Sequence, residues 1–438
     1  MSTTNLEAED VAESPPPGAH ANGNQSPTAH PQATELIVPD PSPDVLPEVK
    51  LVQGDARHLP PNEPFLDDSV DLVVTSPPYW QKRDYGVDDQ IGQEATPQEF
   101  TGAIVDCLKE WRRVLRPTGS VFLNIGDTFH KRQLAGIPAR VEAAAGDDGW
   151  IIRNRIIWAK DGGMPEPAQN RLANRHEYII HLVPKHEYYY DIFGYARAMG
   201  NGANPGDVWR WCDTCGSGTS DAAETFLDVV PNWRFCPTCG RELAHDPEDV
   251  WRFNPGRHMG KHLAPFPTEI VRRAILLACP ISVCEACGTP RRRCVEPTDQ
   301  LDPARAQARR AMEIAREAGL TAEHLAAVRA TGVSDAGKAL KIQNGTGRNA
   351  AEVKKLAAEA KAVLGGYFRE FTFSRRETVD WTRCGCDARQ VPGTVFDPFM
   401  GTGTTLKTAL AMGRSVIGLD LDSSAAQVLT QTATSGSS

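Results

Sequence analysis

Residues 70–80 read Val-Asp-Leu-Val-Val-Thr-Ser-Pro-Pro-Tyr-Trp, an apolar strand that runs directly into a loop with two successive prolines. Proline fixes φ and has no amide proton, so the loop is stiff and Pro77 offers only a carbonyl. In open α/β sheets, ligands bind outside the carboxyl ends of the strands. A rigid loop that presents the Ser76 hydroxyl, the Pro77 carbonyl and the Tyr79 ring suits a planar base with an exocyclic amine. The alternative is an ordinary proline-rich turn that ends a strand.

The segments around this loop alternate between strands and helices. Apolar runs predict further strands at 49–53, 121–125, 151–158, 178–183, 393–397 and 415–419. Apolar residues at helical spacing predict helices at 98–115, 266–278 and 404–412. Strands that alternate with helices predict an α/β fold in which a mostly parallel sheet is covered on both faces.

A second loop follows another apolar strand near the end of the chain. Residues 396–405 read Phe-Asp-Pro-Phe-Met-Gly-Thr-Gly-Thr-Thr. Gly401 and Gly403 permit a tight turn, and the helix that follows would point its amino terminus at the ligand crevice. The loop lacks the Lys-Ser/Thr of a phosphate-binding loop and the third glycine of a dinucleotide fingerprint. Both of those ligand classes are therefore poor alternatives.

Together the two loops resemble those of the beta class of amino-methylating DNA methyltransferases, the SPPY-type N4-cytosine and N6-adenine family. That family places its substrate loop before its cofactor loop, as 75–80 precede 396–405 here. Further segments match the family in the same order, namely 51–57, 111–120, 153–160, 175–178, 261–267 and 417–420. The resemblance implies a Rossmann-like mixed sheet of seven strands with a permuted motif order. The two cysteine-bracketed segments that the matches leave uncovered are predicted to be a zinc-binding insertion and a helical insertion. It also implies S-adenosylmethionine as the cofactor.

The site residues follow from these matches. The candidate catalytic residues are Ser76, Pro77, Pro78 and Tyr79, with Tyr79 stacking on a base that leaves the duplex. The candidate cofactor-binding residues are Asp55, Lys261, His262, Pro265, Phe266, Asp397, Pro398, Phe399, Gly401, Gly403, Thr404, Thr405 and Asp420. The resemblance implies that Asp55 contacts the adenine of the cofactor and that Asp420 binds its ribose hydroxyls. Asp127 either faces the base pocket or caps a helix.

The target base depends on the residue at position 76. In the family, a serine there usually accompanies methylation of cytosine N4 and an aspartate that of adenine N6. The sequence thus favours cytosine N4 in double-stranded DNA, with adenine N6 as the alternative. Methylation of cytosine C5 requires a catalytic cysteine, usually after a proline, and the absence of a Pro-Cys dipeptide excludes that class. The further alternatives are an RNA methyltransferase and a catalytically inactive, zinc-containing DNA-binding protein.

The cysteines point to metal. Eight of the 11 cysteines fall in close pairs, in a chain without a signal-peptide pattern, which is typical of metal sites rather than disulfides. The two predicted ligand sets are Cys212, Cys215, Cys236 and Cys239, and Cys284, Cys287, Cys384 and Cys386. The first set predicts a closed Zn²⁺ site of the ribbon type. The second would hold a further Zn²⁺ and pin the ends of a long insertion, with Cys294 as a competing ligand. Reduced structural thiols are the alternative for both sets.

Charge and hydropathy bear on the organisation and location of the chain. The net charge is −9, but residues 1–49 contain eight acids and no Lys or Arg, so the remainder is close to neutral and can still carry a basic groove. The absence of a long apolar run predicts a cytoplasmic protein that does not contact membranes. The expected partners are double-stranded DNA and a cognate restriction enzyme.

These segments define the predicted domain organisation. The divisions are a disordered acidic tail (1–47), the catalytic half of the methyltransferase domain (48–204), a zinc-ribbon-like insert for target recognition (205–255), a cofactor-closing segment with its helix (256–283), a helical insert bracketed by cysteine pairs (284–390) and the cofactor-binding half (391–438).

Overall fold

The computed structural model describes residues 38–160, 170–198, 209–211, 244–246, 250–252, 267–297, 301, 306–332, 351–372 and 376–422. The strands there are β1 (Val49–Gln53), β2 (Val70–Thr75), β3 (Leu115–Ile125), β4 (Phe129–His130), β5 (Gln133–Leu134), β6 (Ile151–Ala159), β7 (His176–Val183), β8 (Trp209–Trp211), β9 (Ala244–Asp246), β10 (Val250–Arg252), β11 (Ser282–Cys284), β12 (Arg293–Pro297), β13 (Arg376–Trp381), β14 (Gln390–Pro392), β15 (Thr394–Asp397) and β16 (Ser415–Asp420). The helices are α1 (Pro97–Val114), α2 (Ile137–Asp147), α3 (Ile192–Ala198), α4 (Thr268–Ala278), α5 (Ala306–Glu317), α6 (Ala322–Thr331), α7 (Ala351–Leu364), α8 (Phe368–Thr372) and α9 (Thr404–Ala411).

The principal sheet is mixed and has the strand order β1-β16-β15-β2-β3-β7-β6-β10. Strands β1, β16, β15, β2 and β3 run parallel to one another. Strand β7 is antiparallel to both β3 and β6. The α/β fold with a mixed, permuted sheet is thus confirmed. Short strand β10, from the segment assigned to the insert at 205–255, adds an eighth strand at one edge by pairing with β6.

Helices cover both faces of this sheet. Successive residues of a strand point to opposite faces, so each strand contributes side chains to both helical layers. Val73 belongs to the hydrophobic cluster shared with α1 and α2, whereas its neighbours Leu72 and Val74 belong to the cluster shared with α4 and α9. Every residue of β2 is buried. Burial on both faces explains why β2 reads as an almost continuous apolar run.

Helix α1 begins with a capping box. The Thr96 hydroxyl accepts from the Glu99 amide, while the Glu99 carboxylate accepts from the Thr96 amide, and Pro97 occupies the first turn. The helix ends at Val114 and β3 starts with the next residue, earlier than the sequence predicts. The pairing of β3 with β2 is irregular between Leu115 and Ser120. This irregularity accommodates the Pro-Thr-Gly turn inside the strand.

A separate group of helices lies between β12 and β13 in the sequence. Helices α5 to α8 share a hydrophobic cluster of their own, which includes Leu301, Val328, Leu364 and Phe371. Strands β12 and β13 pair antiparallel, so that Pro297 lies opposite Arg376. We call the segment 298–375 the helical unit. None of the helices in the described ranges is long and apolar enough to cross a membrane.

Candidate active site

The two predicted loops meet at one edge of the principal sheet. Strands β2 and β15 are parallel neighbours, so their carboxyl ends lie side by side. The Thr75 hydroxyl at the end of β2 donates to Asp397 Oδ1 at the end of β15, over 2.6 Å. Both residues are buried. One short hydrogen bond therefore joins the strand ends that carry the candidate substrate loop and the candidate cofactor loop.

Asp397 also organises the loop that follows it. Its Oδ1 accepts from the backbone amide of Phe399 at 3.1 Å. Pro398 is buried, and the Phe399 ring packs edge-on against Trp111, with ring centroids 6.2 Å apart. Burial raises the pKa of the Asp397 carboxyl to about 6. A cationic ligand bound beside Asp397 would favour the ionised form of this carboxyl group.

The glycine turn of the cofactor loop has the conformation that its sequence predicts. Gly401 and Gly403 have φ values of 47° and 75°, and Gly403 stands immediately before α9. A Cβ placed on Gly401 would meet no atom within 4 Å, so the backbone there is open to a ligand. Thr404 is half-buried at the start of α9, and Thr405 is buried beside it.

Asp420 lies on the next strand and faces this turn. Its two oxygens accept from the amides of Gly401, at 2.8 Å, and Asp422, at 3.0 Å. Gly418 of the same strand packs closely under the loop, since a Cβ there would lie 2.5 Å from Met400 Sδ. Burial raises the pKa of the Asp420 carboxyl. Thr75, Asp397 and Asp420 thus lie at the carboxyl ends of three neighbouring parallel strands.

Asp55, after β1, forms a salt bridge with Arg57. Its carboxylate receives the Arg57 guanidinium at 2.7 and 3.0 Å, and Arg57 in turn donates to the Asp89 carbonyl at 2.9 Å. Although burial raises the pKa of Asp55, the hydrogen bonds and charge of Arg57 outweigh it, and the net pKa is lowered. The amide of Gly54 donates to the Asp420 carbonyl, which keeps the end of β1 beside the crevice.

The substrate loop is braced from several sides. The buried Trp80 indole donates to the Glu94 carbonyl at 2.8 Å, and the Thr128 hydroxyl donates to the Trp80 carbonyl at 2.9 Å. Gly92 lies against Pro78, where a Cβ would be 3.2 Å from the proline ring. Ser76 and Pro78 are half-buried, whereas Pro77 is buried. The loop geometry therefore does not depend on the prolines alone.

Tyr79 takes part in a polar network. Its hydroxyl donates to Glu177 Oε2 at 2.5 Å, and Asn124 Nδ2 donates to the Tyr79 hydroxyl at 2.8 Å and to Glu177 Oε2 at 3.0 Å. The Ser76 hydroxyl lies 3.3 Å from both Asn124 Nδ2 and the Tyr79 hydroxyl. Lys160 forms an ion pair with Glu177 Oε1. Burial and the Glu177 charge raise the pKa of Tyr79 well above its usual value, so the hydroxyl keeps its proton.

Three of these network residues were not singled out from the sequence. Asn124 interrupts the buried apolar run of β3, Glu177 lies in the half-buried first part of β7, and Lys160 follows β6 directly. A polar residue within a buried strand is the signal that could have identified Asn124, because such a group needs a hydrogen-bond partner. Asp127 accepts from the amide of Ile137, the first residue of α2, at 3.1 Å. That contact favours the capping alternative.

Several predicted residues lie outside the described part of the chain. They are Lys261, His262, Pro265 and Phe266 of the cofactor-closing segment, and Cys212, Cys215, Cys236 and Cys239 of the first cysteine set. The second set, Cys284, Cys287, Cys384 and Cys386, comes together in space. The predicted methyl-transfer residues that the structure describes are therefore those of the two loops, together with Asp55 and Asp420.

The arrangement suits transfer between two bound molecules. On one side are carboxylates and an open glycine turn, which fit hydroxyls, amines and a positive charge. On the other side are the Ser76 hydroxyl and a stiff proline backbone, which fit a neutral amine. Because β2 and β15 are adjacent, the two sides lie next to each other at the carboxyl ends of these strands.

Comparison with known proteins gives matches over these same strands and loops. A family model described as DNA methylase, of the N6/N4 type, matches residues 70–282 and 389–431, more than half of the chain. The matched ranges include both loops and omit the helical unit.

Curated relatives cover similar segments. The Type II methyltransferase M.XycI of Xanthomonas campestris pv. cyanopsidis is 36% identical over 197 residues, 37% of this chain and 63% of the relative. The chain thus spans less than two thirds of that protein. The Type II methyltransferase M.SmaI of Serratia marcescens is 35% identical over 264 residues, 52% of this chain and 74% of the relative.

Solved structures that match the chain include a putative DNA modification methylase of Thermus thermophilus in complex with S-adenosyl-L-methionine. It is 18% identical, with a TM-score of 0.40, over 88% of this chain and 94% of that chain. The cytosine-N4-specific PvuII DNA methyltransferase is 13% identical, with a TM-score of 0.37, over 87% of this chain and 86% of that chain.

Proposed function

The chain belongs to the N6/N4 family of DNA methylases, and we propose on this premise that it transfers a methyl group from S-adenosylmethionine to an exocyclic amino nitrogen of double-stranded DNA. The observation that carries the proposal is the hydrogen bond between Thr75 and Asp397, which joins the substrate loop to the cofactor loop. A chemical step between two ligands needs both loops in one crevice.

The cofactor side of the crevice fits S-adenosylmethionine by its chemistry. The Asp420 carboxylate suits the ribose hydroxyls, and Asp397 suits the positive charge of the amino acid portion. The open backbone at Gly401 leaves room for close approach. When bound, S-adenosylmethionine supplies an electrophilic methyl group on a sulfonium.

The substrate loop would hold the base. The Ser76 hydroxyl and the Pro77 carbonyl accept hydrogens from the exocyclic amine, so that the nitrogen lone pair points at the methyl group. The face of the Tyr79 ring supports a base that has left the duplex. The network of Asn124, Glu177 and Lys160 fixes the Tyr79 hydroxyl and keeps the loop in one arrangement.

We favour cytosine N4 over adenine N6 as the target because residue 76 is a neutral serine, the form of the loop that usually accompanies cytosine in this family. The Type II relatives suggest a site-specific enzyme that acts beside a cognate restriction enzyme. The recognition region would then be the insert at 205–255.

Mass spectrometry of nucleosides from methylated DNA tests the target. The full-length protein, incubated with unmodified duplex DNA and cofactor, should produce N4-methylcytosine. Production of N6-methyladenine instead would establish the alternative target. Methylation of structured RNA with none of DNA would refute the proposal, as would failure to bind S-adenosylmethionine.

Replacement of Ser76 by alanine tests its role in the reaction. Ser76→Ala should lower kcat on the order of 100-fold, because one preorganised hydrogen-bond partner of the reacting group is lost. The Kd for S-adenosylmethionine should stay within about 2-fold, since Ser76 lies on the substrate side. Equal losses in kcat and cofactor affinity would show that Ser76 supports folding rather than the reaction.

A further inference from the structure

Four cysteine thiols, two on either side of the helical unit in sequence, converge in space, and none of them is a residue assigned to methyl transfer. The sulfur atoms of Cys284, Cys287, Cys384 and Cys386 all lie within 4.8 Å of one another. In sequence they form two close pairs separated by almost 100 residues. None of these four cysteines is in a disulfide.

The spacing of the sulfurs fits a single tetrahedral ion. With Zn–S bonds of about 2.3 Å, the sulfurs of a four-thiolate site lie roughly 3.8 Å apart. A set of sulfurs within 4.8 Å reaches that geometry by small side-chain rotations. Cys294, which competes for this role on sequence spacing, lies outside the cluster.

The backbone of residues 284–289, around the first cysteine pair, forms a tight turn that we call the knuckle. The amide of Gly288 donates to the Cys284 carbonyl at 2.8 Å, and the amide of Cys284 donates to the Thr289 carbonyl at 3.0 Å. Gly288 has a φ of 66°, which favours glycine. Cys287 Sγ lies 3.1 Å from the Thr289 hydroxyl, which can donate to a metal-bound thiolate.

Cations lie beside the cluster. A Cβ on Gly288 would overlap a guanidinium nitrogen of Arg116, so that side chain packs against the knuckle. Arg389 pairs at 2.7 Å with Glu285, the residue after Cys284. Arg116 pairs with the buried Asp71 at 3.2 Å, so each guanidinium beside the cluster is held in place by a carboxylate.

A small two-stranded sheet lies beside the cysteine cluster, with Cys284 at the end of one strand and Cys386 a few residues before the other. Strand β11, which ends at Cys284, pairs antiparallel with β14, so that Cys284 lies opposite Gln390. The amide of Glu285 continues this pairing by donating to the Arg389 carbonyl at 3.0 Å. The sheet therefore joins the first cysteine pair to the segment that follows the second pair.

We propose that Cys284, Cys287, Cys384 and Cys386 bind one structural Zn²⁺ ion. Each thiol that binds releases its proton to solvent, and four protein ligands leave no coordination position for a substrate. Sulfur-only tetrahedral coordination selects Zn²⁺ over the hard divalent cations.

The position of the ion defines its role. It closes the chain from Cys287 to Cys384 and so fixes the base of the helical unit. It also anchors β14, which leads through Gly393 into β15 and the cofactor loop. Gly393 is packed against the Pro280 carbonyl so closely that a Cβ would overlap the oxygen. The ion thus stabilises the junction between the helical unit and the cofactor half.

Metal content of matched variants tests the proposal. The double variant Cys284→Ser/Cys287→Ser should contain one zinc ion fewer per chain than the unchanged protein, as measured by plasma mass spectrometry. Cys294→Ser should contain the same amount as the unchanged protein. The difference isolates this site from whatever the cysteines at 212–239 bind. Equal zinc in the double variant and the unchanged protein would overturn the proposal, as would iron in place of zinc.

A second measurement uses the unchanged protein and so does not depend on how a variant folds. Cys287 and Cys386 are exposed, so free thiols there would react rapidly with an alkylating reagent. We expect both to resist alkylation until a chelator is added, as shown by mass spectrometry of their peptides. Rapid alkylation without chelator would overturn the proposal. Protection that yields to a reductant rather than to a chelator would indicate a disulfide and overturn it too.

Discussion

Glu177 shows how much of the candidate site depends on a residue far from either loop in sequence. Its carboxylate accepts from Tyr79 and Asn124 and is paired with Lys160, so it holds the substrate loop from the neighbouring strands. Hydrogen bonds to a charged acceptor contribute about 1.5–3 kcal/mol each. Glu177 is therefore a positioning residue in the proposed reaction.

Glu177→Gln should lower kcat roughly 10- to 100-fold, because the amide is neutral and orients Tyr79 less firmly. The Kd for S-adenosylmethionine should not change, as measured by calorimetry. Glu142→Gln is the matched control, since Glu142 pairs with Arg155 and contacts neither loop. If Glu177→Gln and Glu142→Gln have the same kcat, Glu177 has no role in positioning the loop.

Asp397 makes the free energy of unfolding decrease as pH rises, whereas most carboxylates in folded proteins have the opposite effect. Burial raises its pKa from 3.8 to about 6 in the folded protein. Between those two values the folded form keeps a proton that the unfolded chain has lost, so this residue's contribution to stability decreases as pH rises through that interval.

Asp397→Asn should raise the free energy of unfolding at pH 8 by about 1–3 kcal/mol, because the cost of a buried charge is removed. The difference from the unchanged protein should disappear toward pH 4. Affinity for S-adenosylmethionine should fall at the same time, since a carboxylate is lost. Urea unfolding across this pH range measures the first effect, with Asp88→Asn, an exposed loop residue, as the control. A constant difference at all pH values would contradict the assignment.

At the scale of elements, two glycines set how closely strands and loops approach. A Cβ on Gly126 would lie 2.6 Å from the Tyr79 ring, and one on Gly418 would lie 2.5 Å from Met400 Sδ. The first position follows β3 and supports the substrate loop. The second is on β16 and supports the cofactor loop. Alanine at either position must displace its neighbour.

The two glycine variants should therefore fail in different ways. Gly126→Ala should lower kcat on the order of 100-fold through a displaced Tyr79, with cofactor affinity retained. Gly418→Ala should weaken S-adenosylmethionine binding by about 10-fold or more. Steady-state kinetics and calorimetry separate the two outcomes.

Gly102→Ala is the control for both, because Gly102 is an exposed residue of α1 with no atom within 4 Å of the added carbon. It should stabilise the protein by about 0.5–1 kcal/mol. If Gly126→Ala and Gly418→Ala produce the same kinetic defect, the two loops do not act separately.

At the scale of the whole molecule, the helical unit has a hydrophobic cluster of its own and is joined to the remainder through the β12–β13 hairpin. Because Pro297 lies opposite Arg376, an Asn-Gly turn can replace residues 298–375. We expect the shortened protein to fold cooperatively and to bind S-adenosylmethionine with unchanged affinity. Calorimetric unfolding and binding measure this. Loss of cofactor binding would show that the helical unit is part of the catalytic domain.

Seven strands of the principal sheet and the helices α1, α4 and α9 could be predicted from the sequence because their signals are local, whereas β10 and α2 were not predicted. The run at 70–75 and the helix at 404–411 follow from apolar spacing and from the glycines beside them. The beginning of β3 could not be predicted, because the irregular pairing at Pro117 to Gly119 depends on β2. Glu177 was missed because the residues that it contacts, Tyr79 and Asn124, lie on other segments of the chain.

What the sequence determined by itself is seven strands of the principal sheet, several of the helices and the chemistry of the two loops, since hydrophobic period, proline and glycine act within a few residues of their own position. Tertiary structure alone decided which groups touch. The bond from Thr75 to Asp397, the network around Glu177 and the convergence of four thiols each join residues about 100 to more than 300 positions apart. The physical reason is that such contacts arise only when strand order brings the ends of distant segments to one place.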